Sequence, residues 1–286
     1  MLVNDDLGAQ VMPSTPTLTQ FISVGLAIYG ITALGHNIFT IWHNRAGVHV
    51  YDSTTFKLLH TIAVQASHHR GLICCARYNC LYVASSDFCY IYRVDLGDGN
   101  ATMKWKTDKT PFALSINSVY NVLVACNGTN KLQEFTTFRI LVREVILQDG
   151  VSSPFHAVQI ANGQYIVSHG NPTSVSVIGV DGKVVHTYGN SQTFGAGPLG
   201  QSMNVAVCKN GCILVADTNN KRILAMNPTL SCAHEIPFSL SIQNGLQGPA
   251  ALWFDESQGR LYVGECNGGR ILIFDNVKNI GINMKL

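Results

Sequence analysis

The chain has 286 residues, of which 47% are hydrophobic and 13% are charged, and its 19 Lys and Arg against 17 Asp and Glu give a net charge of +2. This composition excludes a disordered chain and shows no basic surplus for nucleic acid or an anionic membrane surface. The apolar run at residues 21–29 falls far short of the roughly 20 residues that a bilayer span needs. We therefore predict neither a membrane nor DNA as partner.

The first twenty residues carry Asp5 and Asp6 but no Lys or Arg, so they lack the cationic start of a secretory signal. Nine cysteines, an odd number without a CxxC pair, fit free thiols in a reducing compartment. We expect a cytoplasmic protein. Two glycosylation sequons, at Asn100 and Asn127, point weakly the other way.

In chain order, residues 1–17 form a predicted flexible lead-in with Pro13 and Pro16, and residues 18–286 form one predicted repeat domain. Six similar units follow one another, each with an apolar strand before a polar turn. The last apolar residues of these strands are Ile41, Val83, Val124, Val167, Val215 and Val263. Their spacings of 41 to 48 residues are typical of propeller blades.

Each unit contains about four short runs rich in Val, Ile, Leu and Tyr, separated by Gly, Asn, Asp or Pro. No stretch has convincing helical periodicity. The sequence therefore predicts an all-β fold, a six-bladed β-propeller of four-stranded antiparallel blades. Either residues 18–25 or residues 279–286 can supply the strand that closes the ring, and the sequence leaves this choice open.

The fifth and sixth units resemble the NHL repeat, in which an acidic residue ends one strand, an Asn-rich turn follows, and Arg-Ile opens the next strand. The matching residues are Val215, Ala216, Asp217, Asn219, Asn220, Arg222 and Ile223, then Val263, Glu265, Asn267, Arg270 and Ile271. Units one to four carry His43, Ser85, Cys126 and His169 at the acidic position. The resemblance implies an NHL-type propeller that binds a protein or a messenger RNA. We expect each acidic residue to pair with its Arg and fix a hairpin.

The resemblance extends to metal-dependent lactonases, esterases and amidating lyases, so we weighed an enzyme. The central halves of the six predicted inner strands contain no Asp or Glu, which leaves His156 and Asn204 as polar candidates. Two such groups cannot supply the six to eight oxygens that Ca²⁺ takes. We therefore expect no catalytic residue, no metal and no cofactor, and thus a non-catalytic module, with a propeller enzyme kept as second alternative.

Loops at one mouth of the central channel carry interleaved aromatic and cationic side chains, a pattern typical of a binding face. The predicted face comprises Tyr29, His43, Arg45, Arg70, Phe112, Lys131, Phe155, His156, Asn171, Met203, Lys221, Arg222 and Arg270. A protein is the first expected partner, because the near-neutral charge disfavours RNA. Single-stranded RNA on the same face is the alternative.

Overall fold

Six four-stranded antiparallel sheets make up the described part of this computed structural model, which covers residues 15–65, 68–97, 102–189, 195–238 and 245–277. The inner strands are β2 Ile28–Leu34, β6 His69–Cys75, β10 Pro111–Ile116, β14 Ser152–Gln159, β18 Ser202–Val207 and β22 Pro249–Asp255. The second strands are β3 Asn37–Trp42, β7 Cys80–Ser85, β11 Val122–Cys126, β15 Tyr165–Asn171, β19 Ile213–Asp217 and β23 Arg260–Glu265. All six predicted anchor residues lie in these second strands.

Two further strands complete each blade. The third strands are β4 Val48–Asp52, β8 Tyr90–Asp95, β12 Lys131–Phe135, β16 Thr173–Ile178, β20 Arg222–Met226 and β24 Arg270–Asp275. The outer strands are β5 Leu58–Ile62, β9 Thr102–Lys106, β13 Leu141–Ile146, β17 Val184–Tyr188, β21 Ala233–Glu235 and, in blade six, β1 Thr17–Ser23. A single 3₁₀ turn, Ala76–Tyr78, is the helical structure within these ranges. The predicted six-bladed propeller is confirmed.

The ring is closed by the N-terminal strand. β1 pairs antiparallel with β24, placing Leu18 opposite Phe274 and Ile22 opposite Ile271. The backbone N–H of Val24 then donates to the carbonyl of Gly269 at 2.8 Å. This pairing answers the question that the sequence left open, while residues 279–286 and the first fourteen residues of the predicted lead-in lie outside the described residues.

The core lies between neighbouring blades, because each sheet is apolar on both faces. Between blades one and two, Phe39, Ile41 and Leu72 pack against Val83 and other side chains of β7 and β8. Every inner strand contacts the inner strands of both neighbouring blades, and β2 contacts β22. The inner strands therefore surround a central channel. No helix in the described ranges is long and apolar enough to span a membrane.

Candidate functional site

A ring of β-bulges surrounds one mouth of the channel. In every blade the pairing of the inner with the second strand skips one residue of the inner strand near its start. A bulge of this kind bends the strand and redirects the side chain of the extra residue. The six bulged residues are Tyr29, Arg70, Phe112, Phe155, Met203 and Ala250, and we call them the collar.

Five collar residues belong to the face predicted from the sequence, and the structure brings them to one mouth. Ala250 was missed, since its side chain is small and carries no chemistry of its own. Its place could have been found by aligning it with the residues that follow Pro111 and Pro154, because Ala250 follows Pro249. The side chain of Met203 is not among the described features, although its backbone lies in β18.

Glycines beside the collar let the blades approach closely. A Cβ at Gly30 would lie 2.8 Å from the Cβ of Leu72, and one at Gly71 would lie 2.9 Å from the Cα of Ala113. Such distances exclude any side chain without movement of the neighbouring strand. Gly30 and Gly71 directly follow Tyr29 and Arg70, so the close approach brings these collar side chains together.

The collar side chains of blades one to four form one continuous stack. The guanidinium carbon of Arg70 lies 4.8 Å from the centre of the Tyr29 ring and 5.5 Å from that of Phe112. Phe112 in turn contacts Phe155 at 5.3 Å between ring centres, and His43 meets the edge of Tyr29 at 5.5 Å. All five side chains are half-buried. The stack therefore presents rings, one imidazole and one guanidinium at the channel mouth.

Arg70 differs from Arg222 and Arg270 because no carboxylate pairs with it among the residues that the structure describes. Contacts with the faces of two rings hold a guanidinium in place but leave its N–H groups without acceptors. Such an arrangement suits an external anion.

Below the collar lies a cavity of about 270 Å³ formed by all six inner strands. Its apolar lining includes Leu72, Leu114, Val158, Val205, Leu252 and Trp253. Arg70 and Tyr29 line its mouth. The cavity therefore joins a charged rim to an interior that combines apolar side chains with polar groups.

The polar side chains in the cavity are used to connect blades. His156 Nδ1 accepts the backbone N–H of Val205 at 3.2 Å, so its Nε2 carries the proton and donates to the carbonyl of Leu114 at 3.3 Å. Asn204 Oδ1 accepts the N–H of Leu252 at 3.3 Å, and Ser115 Oγ donates to the carbonyl of Ala157 at 2.7 Å. His156 was predicted to belong to the binding face, but both of its ring nitrogens bond to neighbouring strands.

Burial sets the protonation of these groups. It lowers the pKa of His156 to about 4, so the imidazole is neutral at neutral pH. Burial likewise raises the pKa of the Cys74 thiol to about 11, which keeps it protonated and unreactive. The neutral His156 has both ring nitrogens bonded to backbone groups, and Cys74 is a thiol and not the nucleophilic thiolate at neutral pH.

The channel donors do not fit a metal ion. His156 and Asn204 are bonded to backbone groups, and the described residues contain no group of three or more His, Cys, Asp or Glu that could hold a metal. A hard cation needs several oxygen ligands converging on one point. We therefore derive no chemical step through a metal at this site.

In blades five and six, the acidic residues pair with their arginines as predicted. Arg222 Nε donates to Asp217 Oδ2 at 2.8 Å, and Gly200 N–H donates to Asp217 Oδ1 at 2.8 Å. Arg270 Nε donates to Glu265 Oε2 at 2.5 Å, and Gln247 N–H donates to Glu265 Oε1 at 2.6 Å. Both carboxylates are fully buried. Arg222 and Arg270 therefore fasten loops, although the sequence analysis also placed them in the binding face.

The remaining predicted residues lie around the mouth with different surroundings. Lys131 bonds to Asp108 at 2.6 Å and Glu144 at 2.5 Å, and Lys221 donates to Gln247 at 3.2 Å. Arg45 is exposed in the loop between β3 and β4. Asn171 ends β15, and its side chain is outside the described features. The structure thus brings His43 together with the collar side chains of Tyr29, Arg70, Phe112 and Phe155. Lys131 pairs instead with Asp108 and Glu144.

The fold and the site define a closed six-bladed propeller with a ligand-sized channel and a charged, aromatic mouth. No protein-family model matches the chain, and no curated protein matches it by sequence. The virginiamycin B lyase from Staphylococcus aureus is similar in structure, with a TM-score of 0.65 at 11% identity over 90% of this chain and 98% of that one. The same lyase is solved as a catalytically inactive histidine variant with quinupristin, with a TM-score of 0.63 at 11% identity over 90% and 98% of the chains.

Two other solved structures share the fold. A structural genomics protein of unknown function from Bacteroides thetaiotaomicron superposes with a TM-score of 0.70 at 12% identity, over 87% of this chain and 69% of that one. The hydrazine synthase of Kuenenia stuttgartiensis superposes with a TM-score of 0.64 at 18% identity, over 93% and 81%. At these identities the likeness shows the fold alone.

These findings contradict the prediction that the chain is not an enzyme. That prediction was drawn from inner strands without carboxylates, yet lyases are among the proteins built on this six-bladed fold. His43 and the collar residue Arg70 provide an imidazole and a guanidinium without a described carboxylate partner, which are groups that can act without a metal.

Proposed function

We propose that the chain is an ester-cleaving enzyme whose site is the collar together with the adjoining His43, with His43 as general base and Arg70 as the cation that stabilises developing negative charge. The observation that carries this proposal is that His43 and Arg70 contact the same Tyr29 ring, at 5.5 and 4.8 Å from its centre. Imidazole is the side chain that most often acts as general base, and a preorganised cation stabilises an oxyanion.

Elimination is the first route that we propose, because lyases share this fold. His43 takes the proton from the carbon next to the one that bears the ester oxygen. The electron pair of that C–H bond forms a C=C bond while the C–O bond breaks. The acid part leaves as a carboxylate, and its charge develops against Arg70.

Hydrolysis is the second route through the same two residues. His43 takes a proton from water as the water oxygen attacks the ester carbonyl, and Arg70 stabilises the tetrahedral oxyanion. The alcohol then leaves with the proton that His43 returns. Both routes yield a carboxylate, but only hydrolysis incorporates oxygen from water.

The test is a panel of cyclic depsipeptides, lactones and aryl esters, assayed by mass spectrometry in ¹⁸O-labelled water. We expect His43→Gln and Arg70→Met each to lower kcat/KM by about a hundredfold or more. Arg77→Met is the matched control, because Arg77 also lies over two rings, Tyr78 and Tyr120, but in the 3₁₀ turn at the other end of β6. Full activity in both site variants, or no cleavage across the panel, would refute the proposal.

A protein partner on the same face is a second candidate, supported by the continuous stack from His43 to Phe155. Its test is an interaction measured by calorimetry with any protein that co-purifies stoichiometrically, with Phe112→Ala and Phe155→Ala expected to abolish it. Titration with short single-stranded RNA at about 50 mM salt decides the RNA alternative. We also retain the NHL-type repeat as a hypothesis, supported by the acidic–arginine pairs of blades five and six.

A further inference from the structure

Arg70 is the one cation of the described collar, and its setting determines what it can bind. Its guanidinium lies against the faces of Tyr29 and Phe112, so its planar edge is the part left for a ligand. A guanidinium edge donates two parallel N–H bonds to a carboxylate. Desolvation by the flanking rings strengthens such a bond relative to one made in open water.

A single positive charge favours a singly charged anion. Arg70 is the one Lys or Arg among the described residues that line the cavity. Of the other cations of the face, Lys131 pairs with Asp108 and Glu144, Arg222 with Asp217 and Arg270 with Glu265, while Lys221 donates to the neutral Gln247 and Arg45 is exposed in its loop. A phosphate group carries more charge and is usually held by several cationic or backbone donors. The geometry therefore favours a monocarboxylate over a phosphate.

The cavity beneath Arg70 favours an apolar body behind that carboxylate. Leu72, Leu114 and Leu252 line it from three different blades. His156, Asn204 and Ser115 bond to backbone groups of the adjoining inner strands. An apolar chain that enters this cavity buries its surface against these leucines, and the three polar side chains need no bond from it.

We propose that the collar and channel bind a monocarboxylic acid with a linear apolar tail, its head on Arg70 and its tail in the channel. This inference rests on the proposed function in one respect, since the acid would be the acid part of the ester that is cleaved. It specifies the substrate class as esters of apolar aliphatic acids. Binding of the free acid requires no turnover and is measured separately.

The first measurement is calorimetric titration of the whole chain with butanoate, hexanoate, octanoate and decanoate, against octanol and octylamine as matched controls. We expect affinity to rise by about fourfold per added methylene until the tail fills the channel. Octanol should bind at least about tenfold more weakly than octanoate, because it makes no charge-assisted bond to Arg70. Equal affinity for octanoate and octanol would overturn the proposal.

Variants of the chain test separately the binding of the ligand's carboxylate head and the binding of its apolar tail. Arg70→Met should weaken octanoate by about tenfold or more, and Arg77→Met should leave it unchanged. Ala206→Phe places a ring in the channel, where Ala206 is part of the lining, and should weaken decanoate far more than butanoate. If Ala206→Phe fails to fold, the length series on the unaltered chain still decides the tail. A flat length series would overturn it.

The two proposals fail in different ways. If octanoate binds and depends on Arg70 while no ester is cleaved, the proposed function fails and the ligand assignment stands. If esters are cleaved but octanoate neither binds nor inhibits competitively, the ligand assignment fails alone.

Discussion

Blades five and six fasten the channel-side face with buried carboxylate–arginine pairs, whereas blades one to three place an arginine between two rings. Asp217 and Glu265 each accept both an arginine and a backbone N–H. At the equivalent place in blade one stands His43, which contacts the collar instead. The same face therefore contains arginines that hold loops and an arginine that has no carboxylate partner among the described residues. A count of arginines does not separate these two roles, but their partners do.

The largest expected difference between the two regions is the loss of stability when one arginine is removed from each. Arg222→Ala leaves the fully buried Asp217 carboxylate without its cation, and we expect the free energy of unfolding to fall by about 3–5 kcal/mol. Arg70→Met removes contacts with ring faces and should cost about 1 kcal/mol or less. Urea unfolding of both variants measures the difference. Equal losses would show that the two arginines do the same structural task.

The next largest expected effect is a loss of stability at acidic pH. It arises from buried histidines in blades that lack the carboxylate–arginine pairs of blades five and six. Burial lowers the pKa of His156 to about 4, compared with an ordinary value of about 6.5 for an unfolded chain. The unfolded chain therefore binds the proton more tightly. Stability from this histidine is full above about pH 6.5 and is lost as pH falls toward 4, by about 3 kcal/mol in total.

His49, His69 and His169 have pKa values lowered to about 4 for the same reason, and they also lie in blades one, two and four. Chemical unfolding between pH 7 and pH 4 measures the combined loss. His156→Gln removes one titrating group and should reduce the slope of stability against pH. An unchanged slope in this variant would contradict the assignment to His156.

The smallest of the three expected effects concerns the close approach of two inner strands beside the collar. Gly71→Ala places a Cβ 2.9 Å from the Cα of Ala113 and 3.1 Å from the carbonyl oxygen of Phe112. Because these atoms are backbone, the two inner strands must separate, at a cost of about 1–3 kcal/mol. Gly97→Ala is the control, since its nearest neighbour atom lies 3.8 Å away. Thermal unfolding compares the two, and equal shifts would refute the close approach.

The repeat and the acidic–arginine pairs of blades five and six could be predicted from the sequence because both are local patterns. The apolar anchors recur at nearly constant spacing, and each acidic residue lies five positions before its arginine. Closure of the ring by β1 could not be predicted, because its partner β24 lies some 250 residues further along the chain. Two terminal segments, residues 18–25 and residues 279–286, were both apolar enough to serve as the closing strand. Strand pairing at that separation leaves no signal in either segment alone.

The role of His156 was beyond sequence reasoning for a different reason. Its partners are the carbonyl of Leu114 and the N–H of Val205, groups that nearly every residue carries. The bulges were equally hidden, since a skipped pairing is a property of two strands together. The sequence did place Tyr29, Arg70 and Phe112 at strand starts, which the bulges then turned toward the mouth.

The pairing of β1 with β24 has a consequence for biosynthesis. β1 leaves the ribosome before the other described strands and waits without its partner until residues 270–275 have also emerged, while five blades assemble between them. An incomplete nascent propeller therefore exposes an unpaired strand at its start and an open sheet at its end. Chaperone contacts during translation should concentrate on residues 17–23 and disappear when the hairpin of β23 and β24 is released.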